Sequence, residues 1–300
     1  MHLLITGASG HIGSTVAYNF NKKKTKTILI TRGKTKLKIL KKNFKNCEVK
    51  YFKDLKKKNL KIDTILHTAS INDKETNNKK DSLKISLNIT KQIFSNLNLS
   101  KINKVIYLST AQVYGSNLFS IVNEKTKLIP NNDYGLSRYE TEIYLTKLAK
   151  KFKFKLAILR ISNVVGDPFI KNKKCLRLLP NDIKNQAIKF GTITLKSSGL
   201  QFRNFISLKR TSDIIGKFIR SNLLKKIEVF NIGGVNTTVL SLVKNFIKIY
   251  NIKKKKKLRL VVNSQLPSKV KKLQYKDNKM RRFLKIKKSE TIKNIIKNFL

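Results

Sequence analysis

LLITGASGHIGSTVAYNF, residues 3–20, places a short apolar strand, a glycine-punctuated turn and a helix in immediate succession. Leu3, Leu4 and Ile5 form a continuous apolar run suited to a central parallel strand. Ile12, Val16 and Phe20 recur every four residues, as one face of a helix does. Between them Gly7, Gly10 and Gly13 are spaced G-x-x-G-x-x-G. Without side chains at these points the backbone turns sharply, approaches a ligand closely and packs the new helix against the sheet. The N–H groups that open such a helix suit a pyrophosphate. An ordinary tight turn also uses glycine, so the flanks decide between the two. Thr27 to Thr31 is a second apolar strand after one helix and a lysine-rich loop. That completes a βαβ unit, and dinucleotide binding is expected.

Three hundred residues that are 40% hydrophobic suffice for one large α/β domain with a lobe, or for two small domains. There is no apolar run of about 18 residues, and Met1 leads straight into a strand, so a cytoplasmic protein without a membrane span is expected. Cys47 and Cys175 stand far apart without His or Cys at metal spacing, so no metal site and no disulfide are expected. The formal net charge of +51 invites a nucleic-acid reading. Against it, only ten of the 67 basic residues are Arg, and the lysines are spread over nearly every loop. No aromatics interleave the runs Lys22 to Lys24, Lys56 to Lys58 and Lys253 to Lys257, as a stacking groove requires. A solvated basic surface with no specific nucleic-acid partner is expected.

Strand two ends at Thr31 and is followed by Arg32, Gly33 and Lys34. An Asp or Glu at this position would accept from the adenosine ribose of NAD, whereas a cation suits the 2′-phosphate of NADP. With Arg32 offering a planar fork, NADP is expected over NAD; the alternative is that Arg32 merely opens a basic loop. Glu48 to Phe52 and DTILHTAS (63–70) read as further strands, and His67 on the latter reads as structural. Asn88 begins the apolar-periodic stretch Ile89, Ile93, Phe94, Leu97 of a following helix. KVIYL (104–108) is a fifth strand and delivers STAQVYG (109–115). In DYGLSRYETEIYLTK (133–147), Tyr134 and Arg138 lie one helical turn apart on one face, and Glu142 one turn later is placed to hold the guanidinium. Leu156 to Ile161 is a sixth strand; RISNVVG (160–166), QFRNFI (201–206) and VFNIGG (229–234) follow.

Taken together, TGASGHIG, DTILHTAS, STAQVYG, Tyr134-x-x-x-Arg138 and RISNVVG resemble the extended short-chain dehydrogenase/reductases, the group of nucleotide-sugar epimerases, dehydratases and reductases. The resemblance covers nearly the full chain. It implies a Rossmann-type, doubly wound parallel sheet in three α/β/α layers with a smaller C-terminal substrate lobe. Residues 1–165 would form the dinucleotide-binding domain and 166–300 mainly the lobe, with about 206–234 returning to the first domain. It implies cofactor contacts from Gly7, Ser9, Gly10, His11, Ile12, Gly13, Asp54, Leu55, Ala69 and Asn88; for Asp54 an exposed turn is the alternative. Thr110 would hydrogen-bond the substrate oxygen and Tyr134 would act as acid or base. Asn163 and Arg203 would meet the diphosphate or sugar of a nucleotide-sugar substrate. Homodimerisation is also implied.

Three departures qualify the resemblance. The family's lysine is Arg138, which keeps the charge and the ribose donors but takes no part in a proton relay. The usual Asp after Arg203 is Asn204, and Arg210 fills a downstream acidic position. Members that act as 4,6-dehydratases carry an Asp-Glu pair after the active-site Thr, where this chain has Ala111 and Gln112, so that activity is not expected. A dinucleotide-binding or RNA-binding protein without catalysis is the alternative that Arg138 and the charge leave open.

Overall fold

The computed structural model describes residues 1–22, 25–57, 60–70, 82–115, 118–171, 179–263 and 270–300. Cys175, Lys23, Lys24 and Lys58 lie outside them. Among the described residues no helix is long and apolar enough to cross a membrane, and no three His, Cys, Asp or Glu side chains converge as metal ligands. The chain divides into two compact units. The first comprises residues 1–116, 127–161 and 212–230, the second residues 117–126, 162–211 and 231–300.

A seven-stranded sheet organises the first unit. Within it β1 (His2–Thr6) is flanked on one side by β2 (Lys26–Thr31) and β3 (Glu48–Tyr51). On the other side lie β4 (Thr64–His67), β5 (Lys104–Thr110), β7 (Lys155–Ile161) and β11 (Ile227–Ile232). β1 to β5 and β7 pair in parallel, which bears out the doubly wound expectation. The order 3-2-1-4-5-7-11 reverses direction between β1 and β4. At such a switch point, loops from neighbouring strands diverge and open a crevice at the carboxyl ends.

Leu3, Leu4 and Ile5 are fully buried, as are Val105, Ile106, Leu156 and Leu159 on the partner strands. Fully burying one such side chain is worth about 1.5–3 kcal/mol, so these strands read as unbroken apolar runs. Helix α1 (His11–Asn21) buries Gly13, Val16, Ala17 and Phe20, the i, i+3, i+4, i+7 set, while Ile12 stays half-buried at its open end. Helices α2 (Lys34–Asn43), α3 (Ser82–Phe94) and α4 (Asp133–Phe152) follow. Lys104 reaches the end of α6 (Leu208–Arg220), where its Nζ donates to the carbonyls of Phe218, Ile219 and Ser221 at 3.1, 2.7 and 2.5 Å. A cation there satisfies carbonyls that the helix itself leaves without donors.

The second unit has its own core. α5 (Leu179–Phe190), α7 (Val239–Lys254) and α9 (Ile292–Lys297) contribute Ile183, Phe246 and Ile295 around Phe205 and Phe299. β8 (Asn163–Val165) pairs in parallel with β10 (Phe202–Ser207), and β12 (Val235–Thr238) pairs antiparallel on its other side. β9 (Thr192–Leu195) pairs with β13 (Arg259–Val262), and β6 (Ser120–Val122) with β14 (Leu273–Tyr275); α8 (Asn278–Phe283) follows.

Candidate active site

The glycine turn leaves β1 at Gly7, whose φ of +68° excludes most L side chains. A Cβ added there would lie 2.5 Å from Thr68 Oγ1 and 2.8 Å from the backbone nitrogen of Ala69. One added at Gly13 would collide with the Gly7 carbonyl oxygen and sit 2.8 Å from Thr68 Oγ1. The turn after β1 and the chain after β4 are thus pressed backbone against backbone. Thr6 Oγ1 locks them further by accepting from the nitrogens of Thr68 and Ala69, both at 3.1 Å. Gly10 caps α1 without a side-chain hydrogen bond, and the first N–H groups at this mouth suit an anion. Ser9, His11 and Ile12 line this mouth, each half-buried.

Other expected cofactor residues spread along the same sheet edge. Arg32 is the first residue beyond β2 and is exposed. Asp54 is exposed on the 3₁₀ turn Phe52–Lys57, while Leu55 beside it is buried in the core. Asn88 lies within α3 and faces solvent. Ser86 and Thr90, one turn apart, are buried instead, with Ser86 Oγ 3.1 Å from Ser70 Oγ and Thr90 Oγ1 3.0 Å from His67 Nε2. At 100° per residue, a position two away from the packed one turns outward.

His67 joins the glycine turn to the chemistry. Its Nδ1 is 2.8 Å from Thr6 Oγ1, and its ring stacks on Tyr107 with centroids 5.6 Å apart. Burial, with a smaller contribution from the charge of Arg138, pushes its pKa down to about 3, so the ring is neutral.

β5 ends in Thr110, which caps the 3₁₀ turn Ala111–Tyr114 by accepting from the Gln112 nitrogen at 3.3 Å. Its hydroxyl proton is thereby left to donate elsewhere. Tyr134 and Arg138 stand in α4. Arg138 Nη2 donates to the Tyr134 hydroxyl at 3.3 Å, Nη1 to the Leu108 carbonyl at 3.3 Å, and the guanidinium lies over the Tyr134 ring at 5.0 Å. Burial works against its charge, yet the phenols of Tyr134 and Tyr107 outweigh burial and hold its pKa above the ordinary arginine value. Arg138 Nε is buried with no acceptor among the described residues.

Glu142 does not hold Arg138. Its carboxylate is taken by Arg160, with Nε 3.1 Å from Oε1 and Nη2 2.7 Å from Oε2, and by Ser109 Oγ at 2.5 Å. Arg160 Nη1 also donates to the Tyr114 hydroxyl at 3.0 Å. A bidentate fork on β7 outcompetes a guanidinium four residues along the same helix, because α4 lies across β5 and β7 and faces Glu142 toward them.

Asn163 and Arg203 belong to the second unit. Asn163, exposed like Arg203, is the register partner of Phe205, two residues beyond Arg203. Asn163 Nδ2 donates to the Asn204 carbonyl at 2.9 Å. Asn204 in turn donates to Asn236 Oδ1 and accepts from the Gly234 nitrogen, both at 2.9 Å. An Asp at 204 would lack that donor, which accounts for the first departure in this strand. Arg210 donates to the Lys288 carbonyl at 2.6 Å and serves packing of the C-terminal segment.

The model of the NAD dependent epimerase/dehydratase family matches residues 3–233. The dTDP-D-glucose 4,6-dehydratase of Dictyostelium discoideum is 28% identical over 266 residues, covering 78% of this chain and 58% of that protein. With 53% of the human 4,6-dehydratase covered, the chain spans little more than half the length of the dehydratases it matches. A putative UDP-glucose 4-epimerase of Methanocaldococcus jannaschii is 28% identical over 253 residues, covering 79% and 78% of the two chains. The crystal structure of UDP-glucuronic acid 4-epimerase from Bacillus cereus, in complex with UDP-glucuronic acid and NAD, superposes with a TM-score of 0.81 at 22% identity, covering 99% and 97%.

Proposed function

The chain belongs to the NAD dependent epimerase/dehydratase family, and on that premise we propose that it is an epimerase or 4-keto reductase acting on a nucleotide-linked sugar by hydride transfer. The observation that carries this is the buried Arg138 guanidinium directed at the Tyr134 hydroxyl, on the same sheet edge as a glycine turn with no room for side chains. Gly7, Gly10 and Gly13 with the mouth of α1 would hold the pyrophosphate of a nicotinamide dinucleotide, and Arg138 its nicotinamide ribose. When bound, that cofactor exchanges a hydride with the sugar carbon.

The residues of this chain do the rest. Thr110 donates its free hydroxyl proton to the reacting oxygen of the sugar. Tyr134 takes up or returns that oxygen's proton as it passes between alcohol and ketone. Arg138 stays charged throughout and holds the phenol in place; it does not exchange protons. In the second unit, Arg203 and Asn163 would meet the diphosphate and sugar of the substrate. Turnover of a panel of nucleotide sugars, with and without cofactor, tests the proposal.

Two finer expectations arise here. With no acid after β2 and Arg32 exposed at its end, NADP should bind better than NAD, the cofactor present in the Bacillus cereus complex. Losing a charge-assisted hydrogen bond costs about 1.5–3 kcal/mol, so Arg32→Ala should weaken NADP by about tenfold or more and leave NAD nearly unchanged. Calorimetry reads both; equal affinities in the unmodified protein would sink the preference.

The second expectation concerns the dehydratase relatives. Ala111 is buried and Gln112 Oε1 is engaged by Asn132 Nδ2 at 3.0 Å, and neither side chain exchanges protons. Removing water across C5 and C6 of a keto sugar needs both an acid and a base. No 4-keto-6-deoxy product should therefore form from any nucleotide hexose, and its detection by mass spectrometry would refute this.

A further inference from the structure

Tyr134 is bracketed by two residues that both rest on Gln112. On one side Asn132 Nδ2 donates to Gln112 Oε1 at 3.0 Å. On the other, Gly135 lies so close that an added Cβ would stand 2.5 Å from the Gln112 carbonyl oxygen. Asn132 is also the N-cap of α4, its Oδ1 accepting from the Gly135 nitrogen at 2.7 Å. That cap fixes which way the Asn132 amide faces: with Oδ1 on the helix, Nδ2 must point at Gln112, which answers with its oxygen. Gln112 meanwhile donates its backbone N–H to Thr110 Oγ1 at 3.3 Å. One residue thus touches Thr110 through its nitrogen, accepts from the α4 cap Asn132 through its side chain and stands close against Gly135 with its carbonyl.

We propose that Gln112 is the positioning residue that sets the distance between Thr110 and Tyr134, with Asn132 as its counterpart on α4. This rests on the roles assigned to those two residues above. A neutral amide suits the task, because its oxygen is a permanent acceptor and nothing about it titrates. Where the dehydratases have an acid that works on the sugar, this chain has a side chain turned onto its own helix start. Gln112 does not touch the reacting atoms in this role. Its removal should alter the rate of the chemical step and leave binding alone.

The experiment compares Gln112→Leu, which keeps size and removes the acceptor, with Gln112→Glu, which keeps an acceptor. Asn132→Asp is a third variant that preserves the helix cap but loses the Nδ2 donor. Misplacement by about 1 Å costs about a hundredfold, so kcat should fall about tenfold to a hundredfold in Gln112→Leu and Asn132→Asp, with KM changed less than about twofold. Gln112→Glu should retain kcat within about threefold. Hydrogen exchange at the first turn of α4 gives a readout that needs no substrate: it should quicken in Gln112→Leu and not in Gln112→Glu. Unaltered exchange and unaltered kcat in Gln112→Leu or Asn132→Asp would overturn the proposal. If the unmodified protein turns over no nucleotide sugar, the enzymatic assignment fails, and the exchange comparison alone decides whether Gln112 positions the helix.

Discussion

Replacing Tyr134 by Phe is expected to lower turnover by about 10²–10⁴-fold, the range that a positioned acid or base contributes. The substitution removes one oxygen and keeps the ring on which the Arg138 guanidinium lies, so the first turn of α4 keeps its packing. Cofactor affinity should change little, because Arg138 retains its bond to the Leu108 carbonyl. Stopped turnover with intact cofactor binding is the signature of a lost proton path. Equal turnover in the two proteins would remove Tyr134 from the chemistry. Loss of both properties together would mean that the phenol holds the fold of the site rather than a proton.

The second large effect falls on stability. Glu142 and Arg160 are both buried, with side-chain exposures of 5% and 6%. Glu142→Gln leaves the Arg160 charge without its counterion, and breaking such a pair costs about 3–5 kcal/mol. A large drop in the denaturation midpoint is expected. The companion change is milder: in the double variant Glu142→Gln, Arg160→Met no buried charge is left alone, so much of the loss should be recovered. Additive losses in this cycle would show that the two residues do not act as a pair. Had Glu142 held Arg138, as their helical spacing suggests, Glu142→Gln would act first on cofactor binding, so the same variant also separates the two pairings.

That spacing shows where sequence reasoning reaches its limit. The glycine turn, the strands of the sheet, and the placement of Tyr134 and Arg138 on one helical face are local patterns, with every term within about 20 residues. They were legible because apolar periodicity and glycine stereochemistry act along the chain. The partner of Glu142 is set by Arg160, 18 residues away on β7, and depends on how α4 lies across β5 and β7. The apolar period that Asn88 begins does not show that α3 already runs from Ser82, and the helix phase sends Ser86 and Thr90 inward. The docking of Asn132 on Gln112 joins residues 20 apart in sequence, and no apolar period marks it. One signal was available: the glycine directly after Tyr134 marks a close backbone approach.

The most direct test is a panel of UDP- and dTDP-hexoses and their 4-keto forms, incubated with the protein and NAD(H) or NADP(H), with products resolved by chromatography and NMR. Conversion at one sugar carbon, dependent on cofactor and lost in Tyr134→Phe, is the predicted result. A protein that binds the cofactor tightly yet alters no sugar in the panel, or whose conversion survives Tyr134→Phe, would contradict it.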